Sequence, residues 1–334
     1  MVYIYKKIIN GKAYYYLRIS KNLNGKVLVK DIAYLGNKVS EIEKKLDNLK
    51  KYQKEIRKGY KNIQKFLNSN YYLEKAKKKK LKKDDYLEKE RLEQIEAIKL
   101  HYNKSFLKLD KLTIDETYNH FLIDFAFNTT SIEGNTITLK EANRLLKEEI
   151  LPKNKTLREV YDLQNTEKVF LWLLKNKPVI NEKLIIKIHD ELLGGIDVRK
   201  GYRNQEIRII GSRFDVSPAK YIQTDMKILM KWFDKNKSKL HPFVLSVLLH
   251  HKLERIHPFA DGNGRTGRML MNYFLIRNKY PPFIVSKKRR SDYLNALNKA
   301  DKSDLNDIGP KSYNNLIIYL AEEIIASYWN NFNI

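Results

Sequence analysis

The chain of 334 residues contains no cysteine. Disulfides, thiolate nucleophiles and cysteine-ligated zinc are therefore excluded, and a reducing compartment suits such a chain. Long apolar runs are missing as well. No stretch approaches the roughly 18–20 uninterrupted apolar residues of a membrane span, and the first residues, MVYIYKKIING, lack the apolar core of a signal peptide. A soluble, cytoplasmic protein with no membrane partner is expected. Acidic residues are under-represented, 39 against 65 Lys and Arg, which leaves a formal net charge of +26. Such an excess attracts polyanions, nucleic acid among them. Lysine scattered over ordinary helix faces gives the same total, so charge alone does not choose between the two.

What is present starts as β-structure. Tyr3 and Tyr5 precede Asn10-Gly11, and Tyr14 and Tyr16 follow it. A second pair, Asn24-Gly25, separates LRIS from KVLVKDIAYLG. Asn-Gly tolerates the positive φ angles of tight hairpins, so residues 1–37 read as a three-stranded meander. Such a sheet needs a partner on one face. From Ser40 to Leu67 the period changes. Ile42, Leu46, Leu49, Ile56, Tyr60, Ile63 and Leu67 follow a coiled-coil seam with Gln53 in the remaining slot, which predicts a long helix. The seam permits a homodimer or packing within the chain, and Gly59 weakens its middle. KAKKKKLKK at 75–83 reads as a solvated helix face or linker, or a nucleic-acid contact. Residues 38–83 thus form a basic helix and linker.

From residue 84 to 334 apolar residues recur at helical spacing, as in YNHFLIDFAF, EKLIIKIHDELL and PFVLSVLLHHKLERI. Thr138 with Glu141 predicts a capping box. EIRII, Gly211-Ser212 and RFDVS predict a β-hairpin embedded among helices, with strand edges exposed.

One segment concentrates chemistry: His257–Arg268, HPFADGNGRTGR. Pro258 breaks the preceding helix. Gly262 and Gly264 bracket Asn263, and MLMNYFL resumes a helix. A turn that feeds a helix N-terminus aims successive N–H groups at one spot, where the helix dipole adds positive charge. Arg265 and Arg268 near that terminus are unfavourable unless an anion neutralises them, and arginine suits phosphate oxygens. Asp261 would repel phosphate unless a hard cation such as Mg²⁺ lay between them. A neutral His257 can take a proton from a hydroxyl near pH 7. Each feature alone is commonplace; together they describe in-line attack on a nucleotide phosphate. No GxxxxGK[ST] or HExxH sequence is present. His250, His251, Glu254 and His257 could suggest a metal cluster, but a His pair on an apolar helix more often packs.

The segment resembles the motif of the Fic family, His-Pro/x-Phe-x-Asp/Glu-Gly-Asn-Gly-Arg-x-x-Arg, at every defining position. TTSIEGN at 129–135 resembles the family's inhibitory motif, placed N-terminal to the core. GYRNQEIRIIG resembles the approach to its flap hairpin, and KYPPFIVSKKRRSDYLNALNKADKSDL its adenine side. The resemblance covers about residues 85–330. It implies a mainly α fold: a helical Fic domain over 84–334 with a hairpin flap, an inhibitory helix at about 115–135, and the meander and basic helix before it. It implies transfer of AMP from ATP to a Ser, Thr or Tyr hydroxyl, on a target or on the protein itself, with ATP as substrate and Mg²⁺ as cofactor. His257 would be the base, with Arg265 and Arg268 as its catalytic companions. Asp261 would hold the metal. Gly262, Asn263, Gly264, Arg265, Thr266, Gly267 and Arg268 would surround the phosphates. Ile210, Gly211, Tyr293, Leu294 and Asp301 would line the rest of the nucleotide site. Residues 207–216 would dock the target by strand addition. Glu133 would hold Arg268 away from the γ-phosphate, or position a water for the reverse reaction, removal of AMP. Relatives often carry Tyr-Tyr in place of Tyr293-Leu294, and Asn in place of Asp301, which bears on base selectivity.

Overall fold

The computed structural model describes residues 1–208, 215–301 and 309–334. Strands β1 (Val2–Ile9), β2 (Lys12–Leu23) and β3 (Lys26–Gly36) form an antiparallel sheet in that order. Asn10 and Gly11 have φ of 49° and 74°, and Asn24 and Gly25 have 51° and 80°. Positive φ at both central residues is what a two-residue hairpin turn of type I′ requires. Alternation puts Val2, Ile4, Tyr15 and Leu17 on a buried face and Tyr3, Tyr5, Tyr14 and Tyr16 on the other.

The expected long helix over 40–67 is instead three helices: α1 (Val39–Asp47), α2 (Gln53–Lys58) and α3 (Tyr60–Lys77). Gln53 donates to the carbonyls of Leu46 and Asp47 at 3.0 and 3.2 Å, which ends α1, and Gly59 separates α2 from α3. Gly59 is there for space as well. A Cβ at that position would meet the Val2 carbonyl oxygen at 2.6 Å. The seam residues Ile42, Leu46, Ile56, Ile63 and Leu67 close over Val2, Ile4, Tyr15, Leu17 and Leu35. A stripe that covers a sheet has the same period as one that covers a second helix, and here the chain's own sheet takes it. Tyr60, in the same series, is 57% exposed.

The rest is helical: α4 (Lys89–Lys104), α5 (Lys111–Ile132), α6 (Leu139–Glu148), α7 (Leu157–Asn176), α8 (Glu182–Leu192), α9 (Ile222–Asn236), α10 (Pro242–Ile256), α11 (Asn263–Arg277), α12 (Arg290–Ala300) and α13 (Pro310–Asn331). The capping box of Thr138 and Glu141 starts α6, and a second one, Thr156 with Glu159, starts α7. Helices α10 and α11 are buried nearly all round and lie at the centre, polar residues of both included. They form an antiparallel hairpin. Helix α11 also packs on α8 and α7, and α10 on α9 and α13. The N-terminal unit joins this body through α3, where Tyr72 and Ala76 enter the main core and Lys65 and Asn68 bond to Asn330 and Asn333 at 2.6 and 2.8 Å. Among the described residues no helix is long and apolar enough to cross a membrane.

Candidate active site

The loop between α10 and α11 carries the motif. Helix α10 ends at His257, whose φ of 51° turns the chain out of the helix while its N–H still bonds the Leu253 carbonyl. Phe259 is buried and anchors the loop. Gly262, with φ of 76°, caps α11, and a Cβ there would meet Leu193 at 2.5 Å. The N–H groups of Asn263, Gly264 and Arg265 therefore occupy the first turn, where helix geometry supplies no carbonyl partner. The Asn263 side chain does not face the nest. It accepts from the Phe259 N–H at 3.0 Å and donates to the Phe259 carbonyl at 2.9 Å, closing the loop on itself.

His257 Nδ1 lies 3.3 Å from the Glu254 carbonyl oxygen. A carbonyl only accepts, so Nδ1 carries the hydrogen and Nε2 keeps its lone pair. Burial lowers the imidazole pKa, with Arg203 adding to the effect against the Glu254 carbonyl. The ring is neutral at pH 7, the state a base needs.

Asp261 lies in a cationic cage. Its Oδ1 accepts from Gly262 N–H at 2.6 Å and from Arg265 at 3.2 Å, and its Oδ2 pairs with Arg158. Burial opposes ionisation, but Arg265, the Gly262 N–H and Arg158 outweigh it and hold the pKa below the ordinary range. Behind the loop, the His189 ring stacks on Phe259 at 3.8 Å and its Nε2 reaches the Asp261 carbonyl at 3.1 Å. Among the described residues there is no group of three metal-ligating side chains. Asp261 is a single ionised carboxylate with a third of its side chain accessible, which fits a hard cation held mainly by water and substrate oxygens.

The two motif arginines face carboxylates. Arg265 is buried and committed to Asp162 and Asp261. Burial pushes the Asp162 carboxyl up, against the pull of Arg265. The Arg265 side chain thus braces the loop instead of reaching toward a phosphate, and only its N–H belongs to the nest. Arg268 is 2% exposed. Its Nε donates to Thr129 Oγ1 at 2.8 Å, and its Nη2 to the Thr129 carbonyl at 2.9 Å and to Glu133 Oε1 at 2.7 Å. Burial disfavours its charge, and Glu133 more than restores it. Glu133 caps the C-terminus of α5, and the same oxygen sits 2.3 Å from where a Cβ on Gly264 would be. The Glu133 carboxylate and the nest therefore share one space.

Other predicted site residues lie elsewhere. Thr266 is fully buried, and Gly267 faces the His250 ring, where a Cβ would stand 2.4 Å from Nδ1. These two serve helix packing and do not line the nest. Tyr293 is buried against Arg268, with its hydroxyl 2.5 Å from His250 Nε2. Leu294 packs on the core formed by α12 and α13. Asp301 is committed to His251 at 2.9 Å. Ile210 and Gly211, with most of the expected hairpin, lie outside the described residues.

Two residues gain weight from the structure. Arg203 is buried and donates to the carbonyls of His257, Gln205 and Ser217 at 2.9, 2.8 and 2.6 Å, while its own N–H bonds the Pro258 carbonyl at 2.9 Å. It ties Gln205 and Ser217 to the motif loop. Glu254 lies between His250 and His257, 4.0 and 3.9 Å from their Nδ1 atoms. Although 17% of its side chain is accessible, burial and then Glu133 push its carboxyl up to about 8.

The helical scaffold thus brings an anion nest, an ionised carboxylate and a neutral histidine together in one loop. Residues 179–275 match the model of the Fic/DOC family. The protein adenylyltransferase Fic of Drosophila ananassae is 33% identical over 189 residues, covering 54% of this chain and 37% of that relative. The protein of the same name in Drosophila melanogaster gives the same figures. The chain thus spans well under half the length of these curated relatives. Among solved structures, a Fic domain containing signaling protein from Bacteroides thetaiotaomicron aligns with a TM-score of 0.63 at 23% identity, over 69% of this chain and 93% of that one. Fic-1 from C. elegans aligns at 0.60 and 23% identity, over 72% and 70%. These likenesses establish the shared fold.

Proposed function

We propose that this chain is a protein adenylyltransferase: it transfers AMP from ATP to a hydroxyl of a target protein or of itself, and Glu133 holds it at rest. The observation that carries this reading is the contact of Arg268 with Glu133 beside Gly264, within a complete motif loop. The first-turn N–H groups of α11 bind the α- and β-phosphates. Arg268 binds the γ-phosphate once Glu133 leaves. Asp261 would hold Mg²⁺, which would supply screening of the phosphate charge. His257 Nε2 takes the proton of the attacking hydroxyl. The oxygen then bonds the α-phosphorus as the bond to the bridging oxygen breaks and pyrophosphate leaves. The target chain docks along residues 207–216, whose base Arg203 anchors.

While Glu133 stays on Arg268, its negative charge occupies the space of the terminal phosphate. ATP then binds in a pose unsuited to in-line attack. A second reading, removal of AMP by hydrolysis, rests on the accessibility of Glu133. Its side chain is 39% exposed and leaves room for a water.

ATP labelled on the α-phosphate separates these readings from phosphate transfer. The Glu133→Gly protein takes up α-label and no γ-label, and Glu133→Gly combined with His257→Ala takes up neither. Uptake of γ-label contradicts the proposal. Release of AMP from a modified target, lost in Glu133→Gly, favours the second reading.

A further inference from the structure

The outer face of the N-terminal sheet has a composition that covering a core does not require. Register places Tyr5, Tyr16 and Tyr34 in one row across β1, β2 and β3, with Tyr14 beside Lys7 and Tyr3 beside Arg18. Five tyrosines thus share the face opposite Val2, Ile4, Tyr15 and Leu17, which α1–α3 cover. All five keep accessible surface, and Tyr34 is 52% exposed. Tyr16 and Tyr34 lie 5.3 Å apart between ring centroids, and Tyr14 and Tyr34 6.5 Å apart.

Cations interleave these rings. The Arg18 guanidinium lies 3.5 Å over the Tyr5 ring, and Lys45 Nζ lies 5.6 Å from the Tyr34 ring. Residues 1–37 hold seven Lys or Arg and one acidic residue, Asp31, which Arg18 neutralises at 2.6 Å. Tyrosine is common in strands because it packs well across them. That preference does not account for a nearly acid-free face whose rings carry cations.

We infer that the outer face of β1–β3 is a binding platform for single-stranded nucleic acid, with Tyr5, Tyr16 and Tyr34 stacking successive bases and Lys7 and Lys45 meeting the phosphates. Open sheets read single strands in this way, because unpaired bases lie flat on aromatic rings while the backbone follows nearby cations. A duplex hides its base faces and gains nothing from the rings. An acidic protein needs the cations only. The inference is independent of the AMP-transfer reading, since none of these residues belongs to the catalytic loop.

Fluorescence anisotropy of the full chain with labelled oligouridylate, oligothymidylate and a duplex of equal length tests it. Single strands bind at low salt, more tightly than the duplex, with affinity falling as salt rises. Tyr34→Ala alone weakens binding roughly tenfold, and Tyr5→Ala, Tyr16→Ala and Tyr34→Ala together weaken it roughly a hundredfold or more. The salt slope is unchanged, because no phosphate contact is lost. The corresponding three Phe substitutions retain binding, since stacking needs the ring and not the hydroxyl. If single strands do not bind, or the duplex binds equally well, the inference fails. Wild-type affinity in the Ala variants also overturns it and assigns the binding to the lysines of segment 75–83. So does polyglutamate binding that falls to the same degree in the Ala variants, which would make the face a site for acidic protein.

Discussion

Arg268 donates to Glu133 Oε1 at 2.7 Å and, from the same guanidinium, to the Thr129 hydroxyl and carbonyl at 2.8 and 2.9 Å. Thr129 and Glu133 stand four residues apart at the end of α5, so one face of one helix turn supplies the whole cradle. The two contacts differ in consequence. On the proposed function, Thr129 orients Arg268 whether or not ATP is present, whereas Glu133 competes with the triphosphate. Thr129→Val removes an acceptor from a buried cation and costs about 1–3 kcal/mol in chemical denaturation. It does not release the enzyme. Self-labelling by Thr129→Val at the level of Glu133→Gly would show that both residues act as one lock.

On the proposed function, His257 sets the pH dependence of transfer. Burial lowers its pKa, so the base form is already dominant at neutral pH. The labelling rate of Glu133→Gly should rise with pH through an inflection below the free-imidazole value of about 6.5 and be level above it. An inflection above about 7 would contradict the assignment.

The shape of the loop depends on Asn263. Its amide closes two bonds to the Phe259 backbone inside a buried loop. Asn263→Ala strands a buried donor and acceptor and destabilises the fold by roughly 2–4 kcal/mol. It should also lower transfer by Glu133→Gly at temperatures where the protein remains folded. Asn263→Asp keeps the acceptor for the Phe259 N–H, loses the donor and adds a negative charge beside the nest. Melting curves and labelling rates of the pair check both effects.

Glu254 links stability to pH. Its carboxyl titrates near about 8 in the folded protein, through burial and then Glu133, against an ordinary value of about 4.5. The folded state therefore holds a proton that the unfolded chain releases between those values. The stability this contributes is full below pH about 4.5 and is lost as pH rises through about 8. Glu254→Gln does not titrate, so its stability relative to the parent should grow by an order of a few kcal/mol across that range. A constant difference from pH 5 to 9 would refute the shift.

The chemistry was legible where it was contiguous. Twelve residues, His257–Arg268, hold the proposed base, the carboxylate and the nest, and local rules single them out. The two Asn-Gly hairpins and the capping box were legible for the same reason. Partners distant in sequence were not. Asp162 meets Arg265 across 103 positions, and Arg203 bonds to backbone carbonyls that any residue could provide. Nothing in the local pattern around either residue marks them. Arg265, Thr266 and Gly267 were expected at the phosphates because they share the motif. A helix turns its residues outward in all directions, and these side chains face the interior or a brace. The seam at 42–67 carries the right residues, but its period does not tell a covered sheet from a second helix.

The central claim is that Glu133 and the γ-phosphate compete for Arg268. Intact-mass spectrometry after incubation with ATP and Mg²⁺ tests it on three proteins: the parent, Glu133→Gln and Glu133→Gly. Gln keeps a hydrogen-bond acceptor for Arg268 but loses the charge, and Gly loses both. The account predicts little AMP added to the parent, an intermediate amount on Glu133→Gln, and the most, at least tenfold above the parent at about 1.4 kcal/mol per tenfold, on Glu133→Gly. Equal modification of all three proteins, or a folded Glu133→Gly that gains no mass, would contradict it.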